Sequence, residues 1–311
     1  MPEFRAGSPD QVTYLDELVD AGLLTRTGVH GLYARGADFE SVRLAFDALV
    51  TRTAAPESPE VLCFPPVIPR GQLETSGYLG SFPHLAGTVF AFEGDEQAAA
   101  EQFELASAHE DWSAFQQMSE MVLAPAACYP LYPAVAARGP LPEGGLTLDT
   151  GDAYVFRREP SDDPARMQIF HMREIVRIAD RDTVVQWRLQ WRARAEELLR
   201  SLGLRLELDI ASDPFFGRTG RLLAAQQRDQ ELKWELVAPT SGGHPTAVAS
   251  SNYHQDHFGH TYELQTDDGE PAHTGCMAFG EERVVLALLS EHGLDLGDWP
   301  AEVRAALELD R

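Results

Sequence analysis

The sequence is poor in positive charge and in lysine. Among its 311 residues, 25 lysines and arginines stand against 49 aspartates and glutamates, so the formal net charge is −24. Such an excess of negative charge repels the phosphate backbone of a nucleic acid, which binding proteins attract with basic side chains. We therefore expect no nucleic-acid partner. Lys233 is the only lysine, a bias that by itself indicates nothing about partners.

Cysteine and long apolar runs are also scarce. Cys63, Cys128 and Cys276 are odd in number for a disulfide framework and too far apart for a local zinc knuckle. Such sparse cysteine use is typical of a reducing cytosol. No window approaches the roughly 18 apolar residues that a membrane span requires, and the N-terminus MPEFRAGSPD lacks the features of a signal peptide. The sequence predicts a cytoplasmic protein without a membrane partner.

Hydrophobic periodicity predicts a mixture of helices and strands. Apolar residues three or four positions apart, the spacing of one helix face, run through four segments: 12–24, 38–50, 98–121 and 182–202. Asp38 and Asp182 are the predicted N-caps of the second and fourth segments. In the third segment, Phe103, Trp112 and Phe115 are the expected packing residues. Further strands are predicted from alternating or β-branched patterns at 204–210, 231–237, 247–258 and 262–264.

The rest of the chain is organised around the segment 154–178. Aromatic and β-branched residues at 154–156 and 169–170 flank a run of turn formers, Pro160, Ser161, Asp162, Asp163 and Pro164. This pattern predicts a β-hairpin. Because a strand places alternate side chains on one face, polar and aromatic residues from both strands can converge on one ligand.

Two stretches of this hairpin, FRRE and QIFHMREI, resemble motif 2 of the class II aminoacyl-tRNA synthetases, and look most like its seryl branch. The segment 61–90, with VLCFPPVIPR, is similar to motif 1, and 273–293, HTGCMAFGEERVVLALLSEHG, is similar to motif 3. The resemblance implies an α+β fold with a mainly antiparallel sheet flanked by helices. It also implies a single catalytic domain over residues 1–311 and, through motif 1 with Pro65 and Pro66, a homodimer.

The resemblance assigns ATP-binding roles to four residues. It implies that Arg157 holds the α-phosphate, Glu159 the adenine or its amino group, Phe170 the adenine ring, and Arg283 the γ-phosphate. Arginine suits such a role because its planar fork matches phosphate oxygens. Each residue taken alone would also fit a plainer place, the arginines on the surface and Phe170 in the core. The order of the three motifs favours the nucleotide roles.

The resemblance also implies a zinc site. In the atypical seryl branch and its carrier-protein-charging relatives, zinc held by Cys, Glu and Cys binds the substrate amino group, and Cys128, Glu174 and Cys276 occupy the matching positions. Two thiolates and a carboxylate suit zinc and leave a fourth position open for an amine. Their spacing alone carries no information, since buried cysteines are also common as small core hydrophobes. Cys63 has no match and is interpreted as structural.

Other polar residues remain open. His254, His257 and His260, beside Asp256, would form a rival metal cluster on a helix, but the neighbouring sequence favours strand and loop. The segment of Asn252 resembles one near the substrate in the seryl branch, and Glu235 is a candidate pocket carboxylate. Magnesium accompanies ATP in these enzymes, although the acid that helps to hold it there has no clear equivalent in PTAVASS.

The function implied by the resemblance depends on what is missing. Seryl synthetases carry a long N-terminal arm or domain for tRNA, whereas residues 1–60 alone precede motif 1 here and the chain is acidic. The resemblance is therefore closest to the amino acid:carrier protein ligases, which form an aminoacyl adenylate and pass it to the phosphopantetheine thiol of a small carrier protein. The expected partners are a small amino acid and an acyl or peptidyl carrier protein, with no tRNA.

Two other functions stay open: a catalytically silent synthetase-like protein that binds or regulates, and a tRNA-charging paralogue. Retained Arg157, Phe170 and Arg283 argue against the silent protein. If a carrier protein docks, the predicted basic surface is the arginine group of the helix at 182–202, formed by Arg188, Arg192, Arg194 and Arg200. The alternative is that these arginines are the solvated side of that helix.

Overall fold

The computed structural model describes residues 6–309. The helices are α1 (Pro9–Asp20), α2 (Ala37–Ala54), α3 (Arg70–Thr75), α4 (Tyr78–Ser81), α5 (Glu96–Ser107), α6 (Leu131–Ala136), α7 (Arg181–Ser201), α8 (Gly217–Asp229), α9 (His257–Tyr262), α10 (Glu281–His292) and α11 (Ala301–Leu307). The strands are β1 (Leu24–Arg26), β2 (Tyr33–Arg35), β3 (Glu60–Val61), β4 (Val67–Pro69), β5 (Thr88–Phe92), β6 (Gln116–Leu123), β7 (Leu146–Asp149), β8 (Tyr154–Phe156), β9 (Ile169–Ala179), β10 (Glu207–Ile210), β11 (Lys233–Pro239), β12 (Pro245–Gln255) and β13 (His273–Gly280). Within residues 6–309, no helix is both long and apolar enough to cross a membrane.

Eight strands form a central sheet in the order β10-β11-β12-β13-β9-β7-β3, with β8 paired to β9. Its neighbours run antiparallel except β3 and β7, which are parallel. Two smaller sheets, β1-β2 and β4-β6-β5, lie outside it. This confirms the predicted α+β class with an antiparallel sheet flanked by helices. Strand β3 lies at the edge and ends before Pro65 and Pro66, where the missing proline N–H interrupts no ladder.

The register of the central strands decides which side chains share a face. Cys276 lies opposite Asn252 on β12, and Ala278 lies opposite Glu174 on β9. Because directly paired residues project to the same side of a sheet, Asn252, Glu174 and Cys276 emerge together. We call this side the front face. Met277, one position along from Cys276, projects to the back.

The back face is closed by helices. Buried side chains of α2, α7 and α10 pack there against β9 and β13 in one hydrophobic cluster that includes Phe46, Trp191, Leu288 and Phe279. The Phe46 and Phe279 rings meet edge to face at 5.7 Å. Full burial of one such side chain stabilises the fold by about 1.5–3 kcal/mol. The packed back face therefore holds the sheet as a rigid support for the front.

The predicted hairpin is confirmed. Strands β8 and β9 pair antiparallel, with Tyr154 opposite His171 and Val155 opposite Phe170. The predicted motif 3 segment is likewise a strand followed by a helix, β13 and α10, which closes at Gly293. The apolar stripe of the helix at 182–202 is buried as expected. These elements carry strong local periodicity, which tertiary contacts reinforce.

Several local predictions were wrong. The helical pattern at 98–121 ends at Ser107, and 116–123 forms β6 between β4 and β5. Phe103 and Trp112 are 72% and 42% exposed, so they are not packing residues. The N-caps are Gly36 and Asp180, which places Asp38 and Asp182 in first turns. The stretch DPFFGRTGR at 213–221 predicts a loop, but α8 begins within it at Gly217, and Tyr262 ends α9 where a strand was predicted.

Candidate active site

A cavity of about 200 Å³ opens on the front face of the central sheet. Eight of the nine site residues predicted from the sequence line it: Arg157, Phe170, Arg283, Glu235, Asn252, Cys128, Glu174 and Cys276. The ninth, Glu159, lines an adjoining cavity of about 910 Å³, which shares Arg157, Glu235 and Arg283 with the first. Residues that lie up to 155 positions apart in sequence therefore meet at one place, because the hairpin, β12 and β13 are neighbours around the front face.

The hairpin positions Arg157 beside Phe170. The backbone N–H of Arg157 donates to Gln168 across the two strands at 2.9 Å, and its Nε donates to the carbonyl oxygen of Pro125 at 3.2 Å. The guanidinium carbon lies 5.8 Å from the centre of the Phe170 ring, a cation–π distance. A flat aromatic surface and a fixed positive charge thus face the same space.

Arg283 is held by backbone carbonyls from two other elements. Its Nε donates to Ala165 at 2.8 Å and its Nη1 to Ala247 at 3.1 Å. Burial, reinforced by the nearby Arg166, lowers the pKa of Arg283 to about 10. Because a guanidinium has five N–H donors, these two bonds orient the side chain and leave donors for an anionic ligand.

The two thiols and the carboxylate predicted to bind zinc are buried together. Glu174 accepts a hydrogen bond from the backbone N–H of Cys128 at 3.1 Å, and Asn252 Nδ2 donates to Cys276 Sγ at 3.3 Å. The Cys128 thiol, burial and Glu174 all raise the pKa of Cys276 well above its ordinary value. The Cys276 thiol lowers the pKa of Cys128, but burial and Glu174 outweigh it and raise that pKa overall.

The chemistry of this group fits a cation. Glu174 is only 2% exposed and makes no ion pair within residues 6–309. A buried carboxylate without a basic partner is costly unless a positive ion compensates it, and thiol and carboxylate ligands suit zinc. The ligand atoms of Cys128, Glu174 and Cys276 are nevertheless further apart than those of a second group. That group is Asp152, His171 and Glu281, whose ligand atoms all lie within 4.8 Å of one another. It is the one such set of His, Cys, Asp and Glu side chains in the part of the chain described.

The three histidines of the rival cluster lie on two different elements, β12 and α9. His254 lies on β12 with its Nε2 3.9 Å from Cys276 Sγ, and burial lowers its pKa to about 4, so the ring is neutral. His257 and His260 lie on α9, a helix where strand and loop were predicted, and His260 pairs with Asp256 at 3.3 Å. The three ring nitrogens form no close group within residues 6–309. Only His254 belongs to the cavity.

A group of hydrogen-bonded polar side chains in the cavity wall was not predicted from the sequence. Lys233 Nζ lies 2.6 Å from Asp213 Oδ1 and 3.1 Å from Glu235 Oε1. Gln227, on α8, donates to Asp213 Oδ2 at 2.8 Å and accepts from the Asp213 backbone N–H at 2.7 Å. Burial alone would raise the pKa of Asp213, but Lys233 and Gln227 lower it to about 2. Lys233 and Glu235 are two positions apart on a predicted strand, so the sequence could have placed both on one face. Their connection to α8 through Asp213 and Gln227 depends on tertiary contacts, which the local sequence does not indicate.

The predicted docking arginines of α7 are not a free basic surface. Arg188 is only 8% exposed, and its Nη1 donates to the carbonyls of Glu231 and Leu232, both at 3.0 Å. Arg194 pairs with Glu57 at 2.6 Å, and the Arg192 guanidinium lies 4.6 Å from the centre of the Trp234 ring. Arg200 pairs with Glu196 on its own helix. These four arginines are occupied by contacts within the protein, because α7 packs against the sheet and its neighbours.

The fold defines the class of protein first. Solved structures match it closely. The M. kandleri SerRS, in complex with A. aeolicus tRNASec, gives a TM-score of 0.80 over 100% of this chain and 62% of that one, at 19% identity. The Pyrococcus horikoshii seryl-tRNA synthetase complexed with ATP gives 0.67 over 95% and 62%, at 17% identity. The fold is therefore that of the class II aminoacyl-tRNA synthetases, as predicted.

Sequence relatives narrow the class to a family, although no family model matches. The chain is 47% identical to amino acid–[acyl-carrier-protein] ligase 1 of Bradyrhizobium diazoefficiens, over 99% of this chain and 94% of the relative. Ligase 2 of the same organism is 45% identical, over 97% and 90%. A type-2 serine–tRNA ligase of Methanopyrus kandleri is 28% identical over 58% of this chain and 37% of that protein. The chain belongs to the amino acid–[acyl-carrier-protein] ligase family.

Proposed function

We propose that the protein uses ATP to activate a small amino acid and transfers it to the phosphopantetheine thiol of an acyl or peptidyl carrier protein. The observation that carries this is the meeting of Arg157 and Arg283 with the Cys128, Glu174 and Cys276 group in one cavity. In the first step, the amino-acid carboxylate attacks the α-phosphorus and pyrophosphate leaves. In the second, the thiol attacks the adenylate carbonyl and AMP leaves.

The nucleotide occupies the arginine side of the cavity in this proposal. Arg157 compensates charge on the α-phosphate, Arg283 binds the γ-phosphate, Phe170 stacks on adenine and Glu159 accepts from its amino group. Such catalysis depends mainly on fixed charge and orientation, which the carbonyl contacts of both arginines support. Magnesium would accompany the phosphates, with Glu235 as its proposed carboxylate, because Glu235 lines both cavities.

The amino acid occupies the thiol side. Cys128, Glu174 and Cys276 would hold a zinc ion whose open position binds the α-amino group. Asn252 then serves the substrate pocket through its contact with Cys276. The aromatic rings of Tyr129 and Phe258 also line the cavity and lie 5.8 Å apart. A side chain placed beside a metal, its three ligands and these two rings must be small, and a bulky one would be rejected by steric clash, which favours glycine, alanine or serine.

A basic surface beside the cavity supports docking of a carrier protein. We define the α8 surface as Phe216, Arg218, Arg221, Leu222 and Arg228. Phe216 and Leu222 are 57% and 70% exposed. The three arginines are exposed and make no ion pair within residues 6–309, and in a chain of net charge −24 they form a local positive patch. Carrier proteins are usually acidic, so charge complementarity would steer them here.

The α8 surface is joined to the cavity. Gln227 anchors α8 to Asp213, whose other carboxylate oxygen meets Lys233 in the cavity wall. Phe216 itself lines the larger cavity, together with Arg157 and Arg283. A carrier docked on α8 would therefore place its flexible thiol arm at the mouth through which the adenylate is reached.

The test is a pyrophosphate-exchange assay across the amino acids, followed by intact-mass analysis of holo-carrier protein. Exchange with a small amino acid and a matching mass gain on the carrier are expected. Exchange without carrier loading, but with acid-stable charging of tRNA, would favour the tRNA-charging paralogue. No exchange with any amino acid would favour the catalytically silent protein and overturn the proposal.

We also propose that the protein is a homodimer and lies in the cytoplasm. Among the described residues, strand β3 pairs on one side only, with β7, and Val61 on it is 56% exposed. An open edge strand bearing an apolar side chain suits a symmetric contact with a second copy. Light scattering after size exclusion should give a mass twice that of the chain, and a monomer at all concentrations would refute the dimer.

A further inference from the structure

A second group of metal-ligand side chains lies behind the central sheet. Asp152 follows β7, His171 lies on β9 and Glu281 begins α10. Their ligand atoms all lie within 4.8 Å of one another. Phe170 and Met172, the neighbours of His171 on β9, project to the front face. Because successive side chains of a strand point to opposite faces, His171 projects to the back. None of the three lines either of the cavities described above.

Glu281 has an unused ligand atom in this group. Its side chain is fully buried, at 0% exposure. One carboxylate oxygen, Oε2, accepts from Arg43 at 2.5 Å, whereas Oε1 has no hydrogen-bond partner among residues 6–309. A buried carboxylate oxygen left without a partner is rare and destabilising. A bound ion would explain why the carboxylate is held in this position.

Acidic side chains outnumber arginines around Glu281. Within residues 6–309, the carboxylates of Glu40, Asp152, Glu281 and Glu282 form ion pairs with two guanidinium groups, those of Arg35 and Arg43. The formal charges of these four acids and two arginines sum to −2. A divalent cation would neutralise this charge. Without one, burial and the nearby Asp47 raise the pKa of Glu281 to about 9, so a proton is the competing ligand.

His171 is oriented as a ligand. Its Nδ1 donates to Glu282 Oε1 at 2.7 Å, and its backbone N–H donates to Glu282 Oε2 at 2.8 Å. Its Nε2 is 3.4 Å from Asp152 Oδ1, and the Tyr154 ring covers the imidazole with 3.8 Å between ring centres. A carboxylate that holds one imidazole nitrogen and leaves the other for the ion is the usual support of a metal-binding histidine.

We propose that Asp152, His171 and Glu281 bind one divalent transition-metal ion, of the Mn²⁺ or Zn²⁺ type. One imidazole nitrogen and two carboxylate oxygens suit such ions. Asp152 is 41% exposed, which provides an entry from solvent. Arg43 Nη1 donates to Asp152 Oδ1 at 3.1 Å and to Glu281 Oε2 at 2.5 Å, so the ion would share these two carboxylates with a guanidinium that Glu40 also binds through Nε and Nη2. The ion would tie the segment before β8 to β9 and α10, behind the hairpin that carries Arg157.

The test titrates the nucleotide-free full-length protein with Mn²⁺ and follows the bound ion by electron paramagnetic resonance. Mn²⁺ prefers carboxylate and imidazole ligands to the thiols of Cys128 and Cys276, so the two sites are separated by the choice of ion. One saturable Mn²⁺ per chain is expected. Repeating the titration with a Cys128→Ser, Cys276→Ser variant should give the same stoichiometry, which makes the result independent of the proposed zinc site.

Three variants decide which residues hold the ion. Glu281→Gln and His171→Gln should abolish saturable binding, and Glu282→Gln should weaken it about 10- to 100-fold, because Glu282 orients the imidazole. His260→Gln, an exposed histidine that pairs with Asp256, is the matched control and should bind as the wild type. Absence of saturable Mn²⁺ binding in the wild type, or unchanged binding by the folded Glu281→Gln variant, would overturn the proposal. If His171→Gln fails to fold, the wild-type and Glu281→Gln titrations still decide.

Discussion

Arg157 and Phe170 face each other across the β8–β9 hairpin, with 5.8 Å between the guanidinium carbon and the ring centre. Val155 lies directly opposite Phe170, and Arg157 is two positions further along on the same side. In the proposed function these two residues serve different ends of ATP, the α-phosphate and the adenine. Because the two side chains lie so close together, one hairpin can hold both ends of a bent ATP molecule beside the amino acid.

Replacing Arg157 by alanine should reduce pyrophosphate exchange by about 100- to 1000-fold, the range seen when one donor to a developing charge is lost. The melting temperature should change little, since one carbonyl bond to Pro125 is removed. Arg26→Ala, an exposed arginine paired with Asp16, is the control and should exchange normally. Undiminished exchange by the Arg157 variant would refute its role.

Elemental analysis should find about one zinc ion per chain, lost in a Cys128→Ala, Cys276→Ala double variant. Cys63→Ala supplies a control from the same chain, because Cys63 is exposed and lies outside the cavity. That variant should keep its zinc and its activity. Equal zinc content in all three proteins would remove Cys128 and Cys276 from the metal site.

Replacing Arg218, Arg221 and Arg228 by alanine should raise the KM for an acidic holo-carrier about tenfold while sparing adenylate formation, because each exposed charge pair is worth roughly 0.2–1 kcal/mol. The difference should shrink as salt is added. Arg205→Ala is a suitable control, since Arg205 is 73% exposed and pairs with Glu291 on another surface. Equal carrier loading by the triple variant at low salt would exclude docking on α8.

Bulk tRNA should not be charged. The net charge of −24 opposes a polyanion, and the α8 surface is small beside the area that a folded RNA contacts. Counting of acid-precipitable labelled amino acid, under conditions where adenylate forms, measures this directly. Charging at a rate comparable with adenylate formation would contradict the expectation.

Acid should remove a specific contribution of Glu40 to stability. Burial alone would raise the pKa of Glu40, but Arg43 and Arg35 lower it from 4.5 to about 2. A carboxylate whose pKa is lowered on folding stabilises the protein above its unfolded pKa, and this stability is lost as pH falls toward the folded value. Glu40→Gln should therefore melt below the wild type at neutral pH, and the gap should close between pH 4.5 and 2. Glu104→Gln, at an exposed position of α5, should show no gap at either pH.

Much of the fold could be predicted because its main elements are periodic. The hairpin, the β13–α10 unit and the buried stripe of α7 could be predicted from apolar residues that recur every second position in strands and every three or four positions in helices. The misassigned segments lack such a clear pattern. Phe103 and Trp112 are nine positions apart, which would place them on opposite sides of a helix, and both are exposed. The strand β6 depends on its pairing with β4 and β5 on either side. Pairing with distant strands is not encoded in the local sequence.

The candidate site divides in the same way. Motif letters identified Arg157, Phe170, Arg283 and the three proposed zinc ligands, and the structure gathers them around one cavity. Asp213, Gln227 and Lys233 were missed because each is ordinary in its own segment. The strand and loop predicted around the histidine cluster were wrong, since His257 and His260 are helical.

The sequence by itself determined the charge of the chain, the hairpin and the types of side chain available to the site, because these depend on composition and short-range periodicity. Only the tertiary structure decided which arginines are available to a partner. Arg188 and Arg194 of α7 were predicted to be free for docking but meet the carbonyls of 231–232 and the carboxylate of Glu57. Those of α8 are exposed and form no ion pair in the described part of the chain. Whether a charge is free depends on what the fold places opposite it, and that partner lies far away in the chain.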